Sequence, residues 1–200
     1  MFRLVMLTVA LLLSGCGDSS NTPAISDIKS IKVDVNSSKI YSTDTAQMSA
    51  IAYFDTDRSQ IDITSAILYD SSNTTIATVT DSGVISGVSG GGVVEIHGWY
   101  RGLGDSTTLD VVALKEIQIT TDELNISTQS YVQLSSTGSF EDNYTADISS
   151  HVSWSIVESP DESNLSLEQN GTLYSGDKNG TITIRATRYD INNTIELYVK

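Results

Sequence analysis

Apolar and polar positions alternate with a period of two through much of this 200-residue chain. Met48, Ala50, Ala52 and Phe54 are interleaved with residues expected to face solvent, and Leu134, Ser136, Gly138 and Phe140 repeat the pattern. Such alternation predicts strands with one buried face. Turn clusters, among them Asp81-Ser82-Gly83, Ser89-Gly90-Gly91-Gly92 and Asp177-Lys178-Asn179-Gly180, separate short runs rich in Val, Ile and Thr. No segment beyond residue 27 sustains the 3.6-residue period of a helix. The pattern predicts an all-β protein.

The chain also matches itself, at an offset of roughly 85 to 88 residues. Gly83 aligns with Gly171, Gly92 with Gly180, Val94 with Ile182, Ile96 with Ile184, Leu109 with Leu197 and Val111 with Val199. Upstream, Gln47-Met48 matches Gln133-Leu134, Phe54 matches Phe140, and Ile63, Ile67 and Tyr69 match Ile148, Val152 and Trp154. The offset changes only where loops are expected, so the chain reads as a duplicated unit, residues 28–113 and 114–200. Several short strands in each unit predict a sandwich of two antiparallel sheets.

Particular runs carry a family resemblance. Ile63-Thr64 through Ile67-Leu68-Tyr69, Ile76 through Val88, and Gly92-Val93-Val94-Glu95-Ile96 resemble bacterial Ig-like group 2 domains. Val152-Ser153-Trp154-Ser155, Gly171-Thr172-Leu173 and Gly180 through Ile184 resemble them more loosely. The resemblance implies two tandem Ig-like β-sandwich domains of the kind used as adhesin stalks, spacers and binding modules. Tyr69 stands where the family usually has Trp, and Leu165-Ser166-Leu167 replaces the usual Ala-Thr-Val strand.

The first 16 residues have a different character. A positive start ending at Arg3 precedes an apolar run, Leu4 to Leu13, then Ser14-Gly15-Cys16. The run is far short of the roughly 20 residues that span a bilayer as a helix, so it reads as an export signal. Leu13-Ser14-Gly15-Cys16 resembles a lipobox. That resemblance implies removal of residues 1–15, a covalent lipid such as palmitate on Cys16, and a membrane partner reached through that anchor. Gly17 follows the cysteine in place of the aspartate that retains many lipoproteins at the inner membrane, which implies the outer membrane. Residues 16–27, rich in Ser, Asn and Asp, read as a lipidated tether reaching at most about 35–40 Å.

Cys16 is the sole cysteine, leaving no thiol nucleophile, disulfide or cysteine metal cluster once it is acylated. The net charge of −14, more negative still after loss of Arg3, argues against nucleic acid and bare anionic lipid as partners. Gly87-Val88-Ser89-Gly90-Gly91 fits the G-x-S-x-G pattern of a hydrolase elbow, but that chemistry needs a strand-to-helix turn and a second strand is expected here. His97 and His151 fall at non-equivalent positions of the two units and are expected to face solvent. No nucleophile, acid–base pair or metal cluster converges, so the chain reads as non-enzymatic and without a cofactor.

The candidate contacts are few. Tyr69 and Trp154 are expected in the core, whereas alternation puts Trp99 on an outer face, beside Tyr100 and the Arg101 to Gly104 hairpin, as a carbohydrate or protein contact. Asp55-Thr56-Asp57 and Glu141-Asp142-Asn143 follow the second strand of each unit. Glu116, Glu141 and Asp142 near the junction read as a calcium set or as ordinary turn acids. At the end farthest from the lipid, the strand order gathers Asp122, Glu123, Glu158, Asp161, Glu162 and Asp177 against Lys178, with Glu158, Asp161 and Glu162 as the expected partner contacts. The resulting expectation is a lipid-anchored adhesion or binding module of the cell envelope, with a protein or carbohydrate partner. The alternative is a periplasmic spacer subunit of an envelope complex.

Overall fold

The computed structural model describes residues 28–54, 59–160 and 164–200. Every regular element among them is a strand, and no helix among them is long and apolar enough to cross a membrane. The first half comprises β1 (Ile28–Val35), β2 (Lys39–Tyr41), β3 (Thr45–Phe54), β4 (Gln60–Asp62), β5 (Leu68–Ser71), β6 (Ala77–Val79), β7 (Val84–Gly87), β8 (Gly92–Tyr100) and β9 (Leu103–Val112). The second comprises β10 (Leu114–Thr121), β11 (Asn125–Ile126), β12 (Tyr131–Phe140), β13 (Thr145–Asp147), β14 (Ser153–Glu158), β15 (Ser166–Leu167), β16 (Thr172–Tyr174), β17 (Gly180–Arg188) and β18 (Ile191–Val199).

The two halves share one strand order. In the first, β1-β3-β7-β6, with β4 on β3, faces β2-β9-β8-β5; in the second, β10-β12-β16-β15, with β13 on β12, faces β11-β18-β17-β14. β2 runs parallel to β9 and β11 parallel to β18, while the other pairs are antiparallel. The chain thus leaves the first sheet after β1, joins the opposite sheet as β2, and returns as β3. Two such sheets around one core make the Ig-like β-sandwich that the alternation implied.

Burial follows the predicted phase. Met48, Ala50, Ala52 and Phe54 point inward from β3, as do Leu134, Ser136 and Phe140 from β12. One apolar cluster gathers Val33, Met48, Ile85, Ile96 and Leu109, and a second gathers Ile117, Leu134, Trp154, Leu173, Ile184 and Leu197. The second cluster also takes in Val112, with Tyr41 packed against it. Packing therefore crosses the sequence boundary at 113/114.

Matched residues perform matched tasks. The Tyr69 hydroxyl donates to Thr64 O at 3.2 Å and the Trp154 Nε1 to Ser149 O at 3.2 Å. Asp62 accepts the Thr64 amide, Asp147 the Ser149 amide, and the Thr64 and Ser149 hydroxyls in turn accept the amides of Ala50 and Ser136. Hydrogen bonds from the Thr64 and Ser149 side chains, and next from their amides, hold the Asp62 and Asp147 carboxyls below their ordinary range. Gln47 Nε2 bonds Ser82 O, and Gln133 Nε2 bonds Asn170 O, each tying down the turn that ends in Gly83 or Gly171. Gly171 has φ +85°, and a Cβ there would lie 2.4 Å from Leu134 O, so both conformation and space require glycine.

Candidate functional site

Cys16, Asp161, Glu162 and Asp55-Thr56-Asp57 lie outside the described residues. Glu158 ends β14, exposed, beyond a register shift that starts at Ile156. Near it Asp177 accepts from Gln129 Nε2 at 3.1 Å and from Asn164 Nδ2, so this acid serves to tie loops together. The same end carries a pair that sequence reasoning missed. Tyr131 is exposed, with its ring 4.9 Å from that of Tyr174, beside a cleft of about 320 Å³ lined by Asp122, Glu123, Ser130 and Tyr131. The signal was weak because both tyrosines sit at strand ends, where alternation gives no expectation of contact.

Glu141 and Asp142 do lie at the junction, as the topology predicted: the Glu141 amide donates to Ala113 O at 3.1 Å. At this junction Asp142 is held by side chains of the first half. Asp142 Oδ2 receives Lys39 Nζ at 2.6 Å and the Tyr41 hydroxyl at 3.3 Å, while Oδ1 accepts the Tyr144 amide. No group of three His, Cys, Asp or Glu suited to a metal occurs among the described residues, Glu116 included. Lys39, from the first half, is the cation that pairs with Asp142.

Other side chains close the same joint. Tyr41 packs against the rings of Phe140 and Tyr144, at 4.7 and 4.5 Å, and these two rings lie 6.0 Å from each other. Tyr189, in the β17–β18 turn, places its hydroxyl 2.6 Å from Ser42 O and 3.1 Å from Gly87 O, and accepts from Arg188 at 3.1 Å. Ser42, fully buried, accepts the Leu114 amide through its hydroxyl at 3.0 Å. Tyr189 has φ 54°, and its equivalent in the first half, Arg101, has φ 52°, so the duplicated hairpin keeps one backbone while the tyrosine gives it a docking function.

The Lys39–Asp142 pair sets a pH window for one part of this joint. The Lys39 bond holds the Asp142 carboxyl below its ordinary 3.8, and the Asp142 bond holds the Lys39 ammonium above its ordinary 10.5. The carboxylate's contribution is therefore present above 3.8 and lost as pH falls through its lowered value. The ammonium's is present below 10.5 and lost as pH rises through its raised value. Both groups are solvent-exposed, so the pair orients the joint more than it stabilises it. Carbon NMR of the Asp142 carboxyl should titrate below 3.8, and Lys39→Met should move that midpoint upward.

Trp99 lies on the outer face of β8, 53% exposed, as alternation predicted. Its ring lies on Gly104 of β9, where an added Cβ would come within 2.4 Å of Cζ3. Leu68 of β5 pairs directly with Trp99 and is 70% exposed. The adjacent row on this face is Asp70, His97 and Ser106. His97 is half-buried, with Nε2 3.8 Å from Glu95 Oε2, while His151 is exposed with Nδ1 3.2 Å from Ser150 Oγ. Gly87 to Gly91 connects β7 to β8, strand to strand, which excludes the hydrolase elbow.

No family model matches the chain. Ice-binding protein 1 of Shewanella frigidimarina is 28% identical over 156 residues, covering 78% of this chain and 17% of that protein. The chain thus spans about a sixth of the length of the curated relative it matches. Among solved structures, the adhesin InvE of Yersinia pseudotuberculosis aligns with TM-score 0.40 and 13% identity, over 88% of this chain and 61% of that one. Domains 5-6 of the S-layer protein SbsC align with TM-score 0.36 and 19% identity, over 86% and 97%. The Escherichia coli adhesin FdeC aligns with TM-score 0.35 and 14% identity, over 85% and 64%. The Ig-like character of the halves rests on their own strand order.

Proposed function

We propose that this chain is a non-enzymatic, lipid-anchored binding module of the bacterial cell envelope. In this reading residues 28–113 and 114–200 are two domains, each able to fold alone, carried on a tether from an acylated Cys16 at the outer membrane. The observation that carries a binding role is Trp99, a large aromatic ring left 53% exposed on a flat sheet face. With Leu68 directly across from it, the ring forms an exposed apolar strip of the kind that partners use. The likeness to a stretch of an ice-binding protein supports binding over catalysis.

A second reading, a periplasmic spacer arm, is favoured by the hydrogen-bonded joint between the halves. Protease treatment of intact cells separates the two, because only a surface-displayed chain is cut. Cys16→Ala should release the protein from membranes or leave it unprocessed. Unchanged membrane partition and unchanged maturation of that variant would contradict the anchor.

A further inference from the structure

We infer that the outer face of β5-β8-β9 is a binding site for an uncharged hexopyranose glycan, stacked on Trp99 and hydrogen-bonded by Asp70, His97 and Ser106. This rests on the binding-module reading and names the ligand class of its exposed face. Four observations carry it.

The first is the attitude of the ring. A Cβ at position 104 would lie 2.4 Å from Trp99 Cζ3 and 2.6 Å from Cε3, so the indole lies down on bare backbone. One ring face is spent on Gly104 and the other is turned to solvent. A horizontal aromatic plane with one open face suits the C–H face of a pyranose ring, which is apolar and of similar width. Leu68, directly across from Trp99, extends the apolar strip.

The second is the row beside it. Asp70, His97 and Ser106 are mutual cross-strand partners on the same face, two residues along from Leu68, Trp99 and Gly104. Same-face neighbours along a strand stand about 6–7 Å apart and strands about 5 Å apart. The ring hydroxyls of a stacked sugar therefore reach this row. Asp70 and Ser106 are exposed, and neither side chain is engaged by another described residue. A cleft of about 390 Å³ is lined by His97, Trp99, Gly104, Asp105 and Ser106, with the His97 and Trp99 ring centroids 6.5 Å apart.

The third is charge. Asp70 and Glu95 flank His97, and the chain as a whole carries −14. Carboxylates accept hydroxyl protons well and repel uronic or sialic acids, so the ligand is a neutral glycan.

The fourth is the duplicate. In the second half the same register places Ser153, Thr187 and Asn192 where Leu68, Trp99 and Gly104 stand, and Ser155, Arg185 and Thr194 where Asp70, His97 and Ser106 stand. The sandwich folds without an aromatic on this face, so the fold does not require Trp99.

The test titrates the full chain with maltohexaose, cellohexaose and chitohexaose, with polygalacturonate as the acidic control. Tryptophan emission reports binding, since Trp154 is buried and supplies a constant background. At least one neutral oligomer should shift the emission, and polygalacturonate should not. By calorimetry Trp99→Ala should weaken that binding tenfold or more, and Asp70→Ala several-fold, with melting temperature retained. Trp99→Phe, which keeps a ring, should restore part of the affinity. Failure of all three neutral oligomers overturns the proposal, as does binding that survives Trp99→Ala. Either result leaves the displayed-module reading standing, because that reading is tested separately by protease on intact cells and by Cys16→Ala.

Discussion

Phe140→Ala is expected to lower the stability of the second half by about 3–5 kcal/mol and to loosen the joint in the same step. The ring is 1% exposed and belongs to the second core, yet it also lies 4.7 Å from Tyr41, which comes from the first half. Removing it leaves a cavity beneath Leu114, its cross-strand partner, and strips Tyr41 of one of its two aromatic neighbours. Since whole domains are stable by only about 5–15 kcal/mol, this is a large share. Thermal melts followed through Trp154 emission give the loss. Proteolysis near Val112-Ala113, faster in the variant than in the native chain, reports the joint.

Trp154→Ala should cost as much, about 3–5 kcal/mol, but spare the joint. Trp154 is buried on β14, and its Nε1 donates to Ser149 O, which secures the stretch leading out of β13. The variant loses ring volume and leaves that carbonyl without its donor. Among the described residues, no hydrogen bond or ring–ring contact of this side chain reaches the first half. Circular dichroism should show an earlier transition, while emission from Trp99, in the first half, holds its native value through that transition. A coincident change in Trp99 emission would mean that the halves unfold as one unit.

The contrast between these two residues marks how far the sequence could be read. Trp154 lies in an alternating run with an equivalent in Tyr69, so its burial and its half were legible from period and repeat. Phe140 was legible as a core residue through its match with Phe54, but its second contact was not. Alternation reports which face of a strand is buried and says nothing of what meets the end of a sheet. Tyr189 illustrates the same limit. Its hairpin equivalent, Arg101, shares its backbone conformation, whereas its bonds to Ser42 and Gly87 depend on the surface of the other half.

The junction acids were placed by topology, but the partner of Asp142 was not legible. Glu116, Glu141 and Asp142 read as a calcium set or as ordinary turn acids because sequence proximity hides the lysine that bonds Asp142. Lys39 is distant along the chain and arrives through the parallel pairing of β2 with β9. Trp99 was placed on the outer face by alternation alone. That its ring lies flat depends on Gly104, one strand away, and required the register.

Contacts from both halves bridge the joint, and they should hold the two sandwiches at one fixed geometry. Spin labels at Thr108→Cys and Thr194→Cys, in a Cys16→Ser background, stand on exposed positions of β9 and β18. Pulsed electron–electron resonance then reads the distance between the halves. A locked joint predicts one narrow distance distribution, which broadens when Phe140→Ala and Tyr189→Phe are combined. A broad distribution in the native chain, unchanged by those substitutions, would contradict it.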